Sequence, residues 1–385
     1  MIRKLKIKNF RGISELSFDA KFINILVGKN NVGKSSVLEA IDLLFNTHKI
    51  DRYDRYNNRY DDNIDYIVKC RRDVAHVEAI YFNNKKNILQ LKKISEEEKN
   101  ILYEKIKGDI ISNLTEKYSI KQDKLFGERE EKYYKNRIIK IKKNNKEVLF
   151  IPSFMYFSLA DYLVPEKEIK HGKLVRVQVY DDFLKIYNKT HYQMLKTLKR
   201  NSRNIRVILI RDLLRLRENN TSKKVFVKIE NFLRENNILD VKRFGFDSIL
   251  YGNGIEVPFN VLGDGLKSFT KMLYIYFDDK TKKNVILMDE PDSHMHPGYL
   301  KEFIKLIIKW SMLERVQFFI ATHSSDLIDL LLSQEFDEKS KKYLEKELNV
   351  IRLFKTKNDI DLISTYTYSD AVESINDLFL DLRGI

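Results

Sequence analysis

The chain has 385 residues, 43% of them hydrophobic and 12% aromatic, which is room for one large domain or two ordinary ones with a proper core and excludes wholesale disorder. A single cysteine, Cys70, excludes an intramolecular disulfide framework and any zinc site built on cysteines. Seventy Lys and Arg against 55 Asp and Glu leave a formal charge of +15, and no apolar stretch approaches the roughly 20 residues of a bilayer span, so a basic, cytoplasmic protein with no membrane anchor is expected.

The first residues lead straight into strand-like alternation, with no secretory core behind the charges. Leu5, Ile7 and Phe10 set against Lys4, Lys6 and Lys8 predict a half-buried strand, and Leu16-Ser17-Phe18 its hairpin partner. Residues 22–27 (FINILV) form the nearly continuous apolar run of a strand buried on both faces of a parallel sheet. Val37, Leu38, Ile41, Leu44 and Phe45 then recur at helical spacing over 35–45. The segment 51–66 (DRYDRYNNRYDDNIDY) reads as an exposed loop, either a lid or a plain connection.

Few glycines or prolines fall between residues 33 and 252, so the middle of the chain is expected to be a mostly helical insertion over 90–245. Ile101, Leu102, Ile106, Ile110, Ile111 and Leu114 predict one amphipathic helix over 96–114, and 185–217 reads as a second helical tract. Residues 170–217 hold 13 Lys and Arg against three Asp, a net +10. Such a field attracts phosphate backbones, and Lys196, Lys199, Arg200, Arg203 and Arg206 are the candidate contacts to double-stranded DNA; a solvated helix face is the other reading. Buried-strand runs return at 285–288, 318–321 and 350–354. Strands alternating with helices at both ends predict an α/β domain assembled from residues 1–89 and 246–385 around the insertion.

The chemistry sits at the ends of those strands. Gly28-Lys29-Asn30-Asn31-Val32-Gly33-Lys34-Ser35 fits GxxxxGK[ST] without mismatch, between a buried strand and an amphipathic helix. Glycines let backbone N–H groups curl around phosphates, Lys34 adds positive charge near the β and γ phosphates, and the Ser35 hydroxyl can ligate Mg2+. Gly28, Asn30, Asn31, Gly33, Lys34, Ser35 and Ser36 are therefore the candidate nucleotide-binding residues. Residues 284–288 (NVILM) deliver Asp289 to a strand end, where it can hold the magnesium shell, and Glu290 beside it could orient or deprotonate an attacking water. His323, which follows Phe318-Phe319-Ile320-Ala321-Thr322, stands at a third strand end and could reach a γ-phosphate or that water. The His294/His296 pair lacks a third candidate ligand, and a loop role is expected for it instead of a metal.

Together these residues resemble the ABC-type ATPase heads of the SMC and RecF group. Leu5-Lys6-Ile7-Lys8-Asn9-Phe10-Arg11-Gly12 looks like that group's N-terminal strand and "NFR" turn, and Asp289-Glu290-Pro291-Asp292-Ser293-His294-Met295-His296-Pro297 is similar to the "DEPE…LHP" segment of the OLD (overcoming lysogenization defect) family. The resemblance covers about residues 1–45 and 250–330. It implies a P-loop ABC/SMC-type head binding ATP and Mg2+, with Lys34 and Ser35 on phosphate and magnesium, Asp289 on magnesium, Glu290 as the catalytic carboxylate, His323 as the switch histidine and Arg11 near the nucleotide. It further implies a homodimer or higher homo-oligomer with ATP between heads. The stretch 262–268 (LGDGLKS), with Gly263, Asp264, Gly265 and Lys267, stands where the family's LSGGQ-like signature would complete the partner's site. Gly263 replaces the serine of that signature, and Asp264 adds an acid. OLD proteins of full length carry a TOPRIM nuclease; the 62 residues after His323 are too few for one, so none is expected here. The leading functional expectation is an ATP-driven sensor or assembly subunit of an anti-phage system acting with a separate effector. The alternatives are a RecF- or SMC-like ATPase acting directly on DNA, and a nucleotide-binding scaffold with negligible turnover.

Overall fold

Alternating apolar residues at the N-terminus build the first of two large sheets. β1 (Ile2–Phe10) pairs antiparallel with β2 (Ile13–Asp19), Leu5 opposite Phe18 and Ile7 opposite Leu16. β3 (Ile23–Val27) is buried at every position, as its unbroken apolar run requires, and leads through the glycine loop into α1 (Lys34–Phe45). The structure, a computed structural model, describes residues 1–47, 50, 67–69, 72–104, 139–144, 146–150, 169–170, 173–174, 207–210, 223–245, 247–277, 285–293, 295–333, 336–355 and 361–376.

β4 (Val74–Tyr81), β5 (Lys86–Lys92), β6 (Ile139–Lys143) and β7 (Lys146–Phe150) extend the first sheet, which is antiparallel throughout in the order β2-β1-β4-β5-β6-β7. The division expected at 89/90 thus falls inside β5. Leu89 and Leu91 are fully buried, and β6 covers that face, with Ile141 opposite Leu91 and the buried Lys143 opposite Leu89. Residues 96–104 are helical, but Ile101 is 64% exposed and Tyr103 takes the buried side. β8 (Ile169–Lys170) and β9 (Lys173–Leu174) form a small separate pair.

The second sheet gathers strands from far apart in the chain. β10 (Val207–Ile210) lies inside the tract expected to be helical, and here the structure corrects the sequence reading. A short run such as Val-Ile-Leu-Ile fits a helix or a buried strand by periodicity alone, and parallel pairing with a neighbour decides for the strand. α2 (Lys223–Glu235) and the three-stranded sheet of β11 (Val241–Phe244), β12 (Ser248–Tyr251) and β13 (Glu256–Pro258) precede α3 (Asp264–Phe277). Then β14 (Val285–Asp289), α4 (Pro297–Glu314), β15 (Gln317–Ala321), α5 (Ser325–Leu332), α6 (Glu338–Glu347), β16 (Leu348–Lys355), β17 (Asp361–Thr367) and α7 (Tyr368–Asn376) follow. Strand order is β10-β14-β15-β3-β16-β17, parallel except for β17 at the edge.

The period of two in β3 divides the interior. Ile23, Ile25 and Val27 enter one core with the helices that follow β10, whereas Leu26 faces the other, where α1 is packed between the two sheets. The end of α1 is tied on both sides. Asn46 Nδ2 donates to the Val207 carbonyl at 3.0 Å, and Lys143 Nζ donates to Thr47 Oγ1 at 3.0 Å. Lys143 is 1% exposed, and burial pushes its amine down from 10.5 to about 8. Among the described residues no helix is long and apolar enough to cross a membrane.

Candidate functional site

Three adjacent strands end level at one edge of the second sheet, with Asp289 opposite Ala321 and Ala321 opposite Leu26. The glycine loop leaves β3 at that edge. Gly28 has φ +138°, and a Cβ there would stand 2.2 Å from the Leu353 carbonyl oxygen, so only glycine lets the loop pass β16. Asn31 (φ 66°) and Gly33 (φ 109°) also turn left-handed before α1 begins. Asn30 and Asn31 are exposed, and Ser36 is half-buried. On the flank of the loop an apolar recess is lined by Ile13, Leu16, Val32, Val37, Leu353 and Phe354.

Lys34 is buried, and its amine donates to the Gly28 and Lys29 carbonyls at 2.7 and 3.0 Å, drawn back over its own loop. Burial holds it below its ordinary value, an effect opposed by the nearby Glu290 and Asp289. Ser35 Oγ donates to Asp289 Oδ1 at 2.9 Å, joining residues 254 positions apart in sequence. These two oxygen donors could hold a small hard cation. The fit to Mg2+ is good, because that ion keeps several waters and phosphate oxygens and asks for only one or two protein oxygens. Among the described residues no group of three His, Cys, Asp or Glu side chains could grip a metal by itself.

Glu290 follows Asp289 with left-handed backbone (φ 49°), pinned by its N–H to the Ala321 carbonyl at 2.8 Å. Its Oε1 lies 3.1 Å from Nδ1 of His323, and the two side chains are 42% and 54% exposed. An ionised carboxylate only accepts, so the ring nitrogen facing it carries the proton and Nε2 is left for other contacts.

Two residues of this edge escaped the sequence reading. Asp292 is 8% exposed, its Oδ2 accepts from Thr322 Oγ1 at 3.0 Å, and its Oδ1 is buried without a partner. Burial pushes this carboxyl up, against the opposing effects of its own N–H, the Thr322 hydroxyl, His323 and the Ser324 hydroxyl. The only sequence signals were an acid two residues beyond the acidic pair and a threonine immediately before His323.

Of the remaining candidates, some make local contacts of their own and others lie outside the described residues. Arg11, left-handed at φ 49°, pairs with the buried Glu39 of α1. Gly263 and Asp264 are exposed at the start of α3, Gly265 is buried, and the Gly263 carbonyl accepts the Lys267 N–H at 3.1 Å. Lys267 Nζ donates to Asp264 Oδ1 at 3.1 Å, so the acid in the signature-like stretch is countered within its own helix turn. His296 caps α4, its Nδ1 accepting from the Gly298 N–H at 3.2 Å, which is the loop role expected of it; His294 lies outside the described residues. Cys70, the 51–66 loop and the basic candidates Lys196, Lys199, Arg200, Arg203 and Arg206 lie outside them too.

Comparison with known proteins gives three kinds of match. The family described as AAA ATPase domain matches residues 1–328. An ATP/GTP phosphatase of Helicobacter pylori is 22% identical over 357 residues, covering 86% of this chain and 87% of its own. An uncharacterized protein of Methanocaldococcus jannaschii is 34% identical over 83 residues, or 22% of this chain, and the match spans only 10% of that relative's length. Among solved structures, the Smc head bound to the C-terminal winged-helix domain of ScpA overlays with a TM-score of 0.51 at 12% identity, covering 97% of this chain and 99% of that one. At that identity the likeness is one of fold, and the fold is that of a P-loop ABC/SMC-type head.

Proposed function

The chain belongs to the AAA ATPase domain family, and from that premise we propose that it is a Mg2+-dependent ATPase whose site is the strand edge carrying Lys34, Ser35, Asp289, Glu290 and His323. The observation that carries this reading is the 2.9 Å bond from Ser35 Oγ to Asp289 Oδ1, which brings the first turn of α1 and the acid of a distant strand to one point beside the glycine loop. The N–H groups of Gly28 to Lys34 and the Lys34 ammonium receive the phosphates, the amine exchanging its loop carbonyls for phosphate oxygens. Ser35 and Asp289 would hold Mg2+, which when bound neutralises charge on the phosphate oxygens. Glu290 orients or deprotonates the attacking water, and His323, protonated at Nδ1 toward Glu290, keeps Nε2 free for the γ-phosphate or for that water.

Glu290 and His323 are both about half exposed, and electrostatic stabilisation is weak in a site open to water. A second copy would close it, presenting the start of α3 with Gly263, Asp264, Gly265 and Lys267; ATP then binds between two heads and drives their association. The likeness of residues 289–297 to the OLD loop supports a finer assignment as the ATP-driven sensor or assembly subunit of an anti-phage system with a separate effector. Direct action on double-stranded DNA is the second reading, favoured by the net charge of +10 over residues 170–217. In either reading the partner-facing part of the chain is the insertion, within 90–245.

The test is the steady-state ATP hydrolysis rate of the purified chain at fixed moderate salt, with and without Mg2+ and duplex DNA. Turnover that requires Mg2+ and falls in the Glu290→Gln chain is expected. Absence of turnover at saturating Mg2+ and ATP rejects the enzymatic reading, and strong stimulation by DNA moves the assignment from a defence subunit to an ATPase acting on DNA.

A further inference from the structure

We propose that Asp292 and Thr322 form a positioning tie that holds His323 against Glu290, an inference that rests on reading this pair as the water-activating groups of the ATPase. Thr322 is anchored in three directions. Its N–H donates to the Leu26 carbonyl of β3 at 3.0 Å, its hydroxyl donates to Asp292 Oδ2 at 3.0 Å, and the same oxygen accepts the Ser324 N–H at 2.9 Å. Ser324 in turn caps α5. His323 therefore hangs between two residues fixed to β3, to the loop after β14 and to a helix start. Its own ring bonds none of these anchors and meets Glu290 instead.

The other half of the pair is fixed by the same acid. Glu290 is left-handed, a strained conformation for a residue other than glycine that persists only where neighbouring contacts enforce it. The turn that enforces it is closed by the Ser293 N–H on the Glu290 carbonyl at 3.2 Å and the Met295 N–H on the Asp292 carbonyl at 3.0 Å, and the Asp292 side chain moors that turn to Thr322. Asp292 thus fixes Glu290 from one side and His323 from the other. A buried carboxylate with one oxygen outside close hydrogen-bonding geometry is an expensive way to fasten a loop, and a group left in that state calls for a functional explanation. Fixing two exposed side chains whose mutual geometry matters supplies it.

Thr322→Val keeps the shape of the side chain and removes the hydroxyl, and Thr322→Ser keeps the hydroxyl. In the nucleotide-free full chain with 15N-labelled histidine, the resonances of His323 are assigned with the His323→Gln chain. The hydrogen-bonded Nδ1 signature of His323 should be lost in Thr322→Val and kept in Thr322→Ser. Asp292→Leu, which removes the acceptor from the other side, should repeat the loss should Thr322→Val fail to fold, and Asp292→Asn, which keeps an oxygen for Thr322, should not. With ATP, Thr322→Val should lower kcat about tenfold or more at a KM within about twofold of the parent, and should add little in a His323→Ala background. An unmoved His323 signature in Thr322→Val overturns the proposal, as does an equal fall in kcat with and without His323. If the parent chain shows no turnover but the signature is lost in Thr322→Val and Asp292→Leu, the ATPase reading falls and the tie stands.

Discussion

Replacing Lys143 by methionine should stabilise the protein at neutral pH and leave it nearly unchanged in strong alkali. The amine is 1% exposed, its recorded bond is to Thr47 Oγ1, and among the described residues no carboxylate pairs with it. The folded chain releases this proton near 8, whereas an unfolded chain holds it to about 10.5. Below pH 8 both states carry the charge, and the folded state bears the full burden of burying it. Between 8 and 10.5 the unfolded chain binds more protons, so stability rises with pH across that window. At about 1.4 kcal/mol per pH unit the burden is about 3 kcal/mol. Methionine keeps the length, removes the charge and gives up one hydrogen bond of about 1 kcal/mol. The Thr47 hydroxyl is not stranded, because it also donates to the Leu43 carbonyl at 2.8 Å. The net gain at pH 7 is then about 2 kcal/mol, read as a higher urea midpoint. The same midpoints measured at pH 10.5 should converge. A variant less stable than the parent at pH 7, or a gain that is independent of pH, refutes the assignment of a buried, uncompensated amine.

Lys34→Ala should abolish tight ATP binding by calorimetry, and near-normal affinity would remove the glycine loop from the site. Glu290→Gln should bind ATP and turn over at least about tenfold more slowly; in size-exclusion chromatography with light scattering, ATP should shift it toward the dimer, and a monomer at saturating ATP would count against closure by a second head. Gly28→Ala forces a Cβ against the Leu353 carbonyl oxygen in a backbone conformation closed to alanine, so both ATP affinity and melting temperature should fall, and an unaffected protein would mean the loop runs elsewhere. Neutralising Lys196, Lys199, Arg200, Arg203 and Arg206 together should weaken duplex DNA binding and flatten its salt dependence, an unchanged affinity leaving the tract as a solvated surface.

What could be read along the chain and what could not divide by the range of the interactions involved. β3, β14, β15 and β16 announce themselves as apolar runs, and the glycine loop, Asp289 and His323 are named by what immediately precedes them in sequence. Their arrival at one edge follows from parallel pairing of strands that each end in a functional residue. β10 was misread because four apolar residues in a basic tract carry no period of their own, and only the presence of β14 alongside makes them a strand. The placing of β6 and β7 in the first sheet was invisible for the same reason. Asp292 was given no role of its own within the 289–297 run, because the contact that distinguishes it is to a hydroxyl 30 positions away. The pairing of Arg11 with Glu39, 28 positions away, was likewise out of reach of the sequence.

The two ties at the far end of α1 have a mechanical consequence. The helix has 12 residues, a stiff rod of about 18 Å, with the glycine loop at one tip. At the other tip it is fastened through Asn46 to β10 and through Thr47 to β6, the neighbour of β7. β7 and β10 are the strands from which the chain departs at 150 and to which it returns at 207. A displacement of β6 or β10 would therefore bear on the same end of α1, the helix that leads directly out of the phosphate-binding loop.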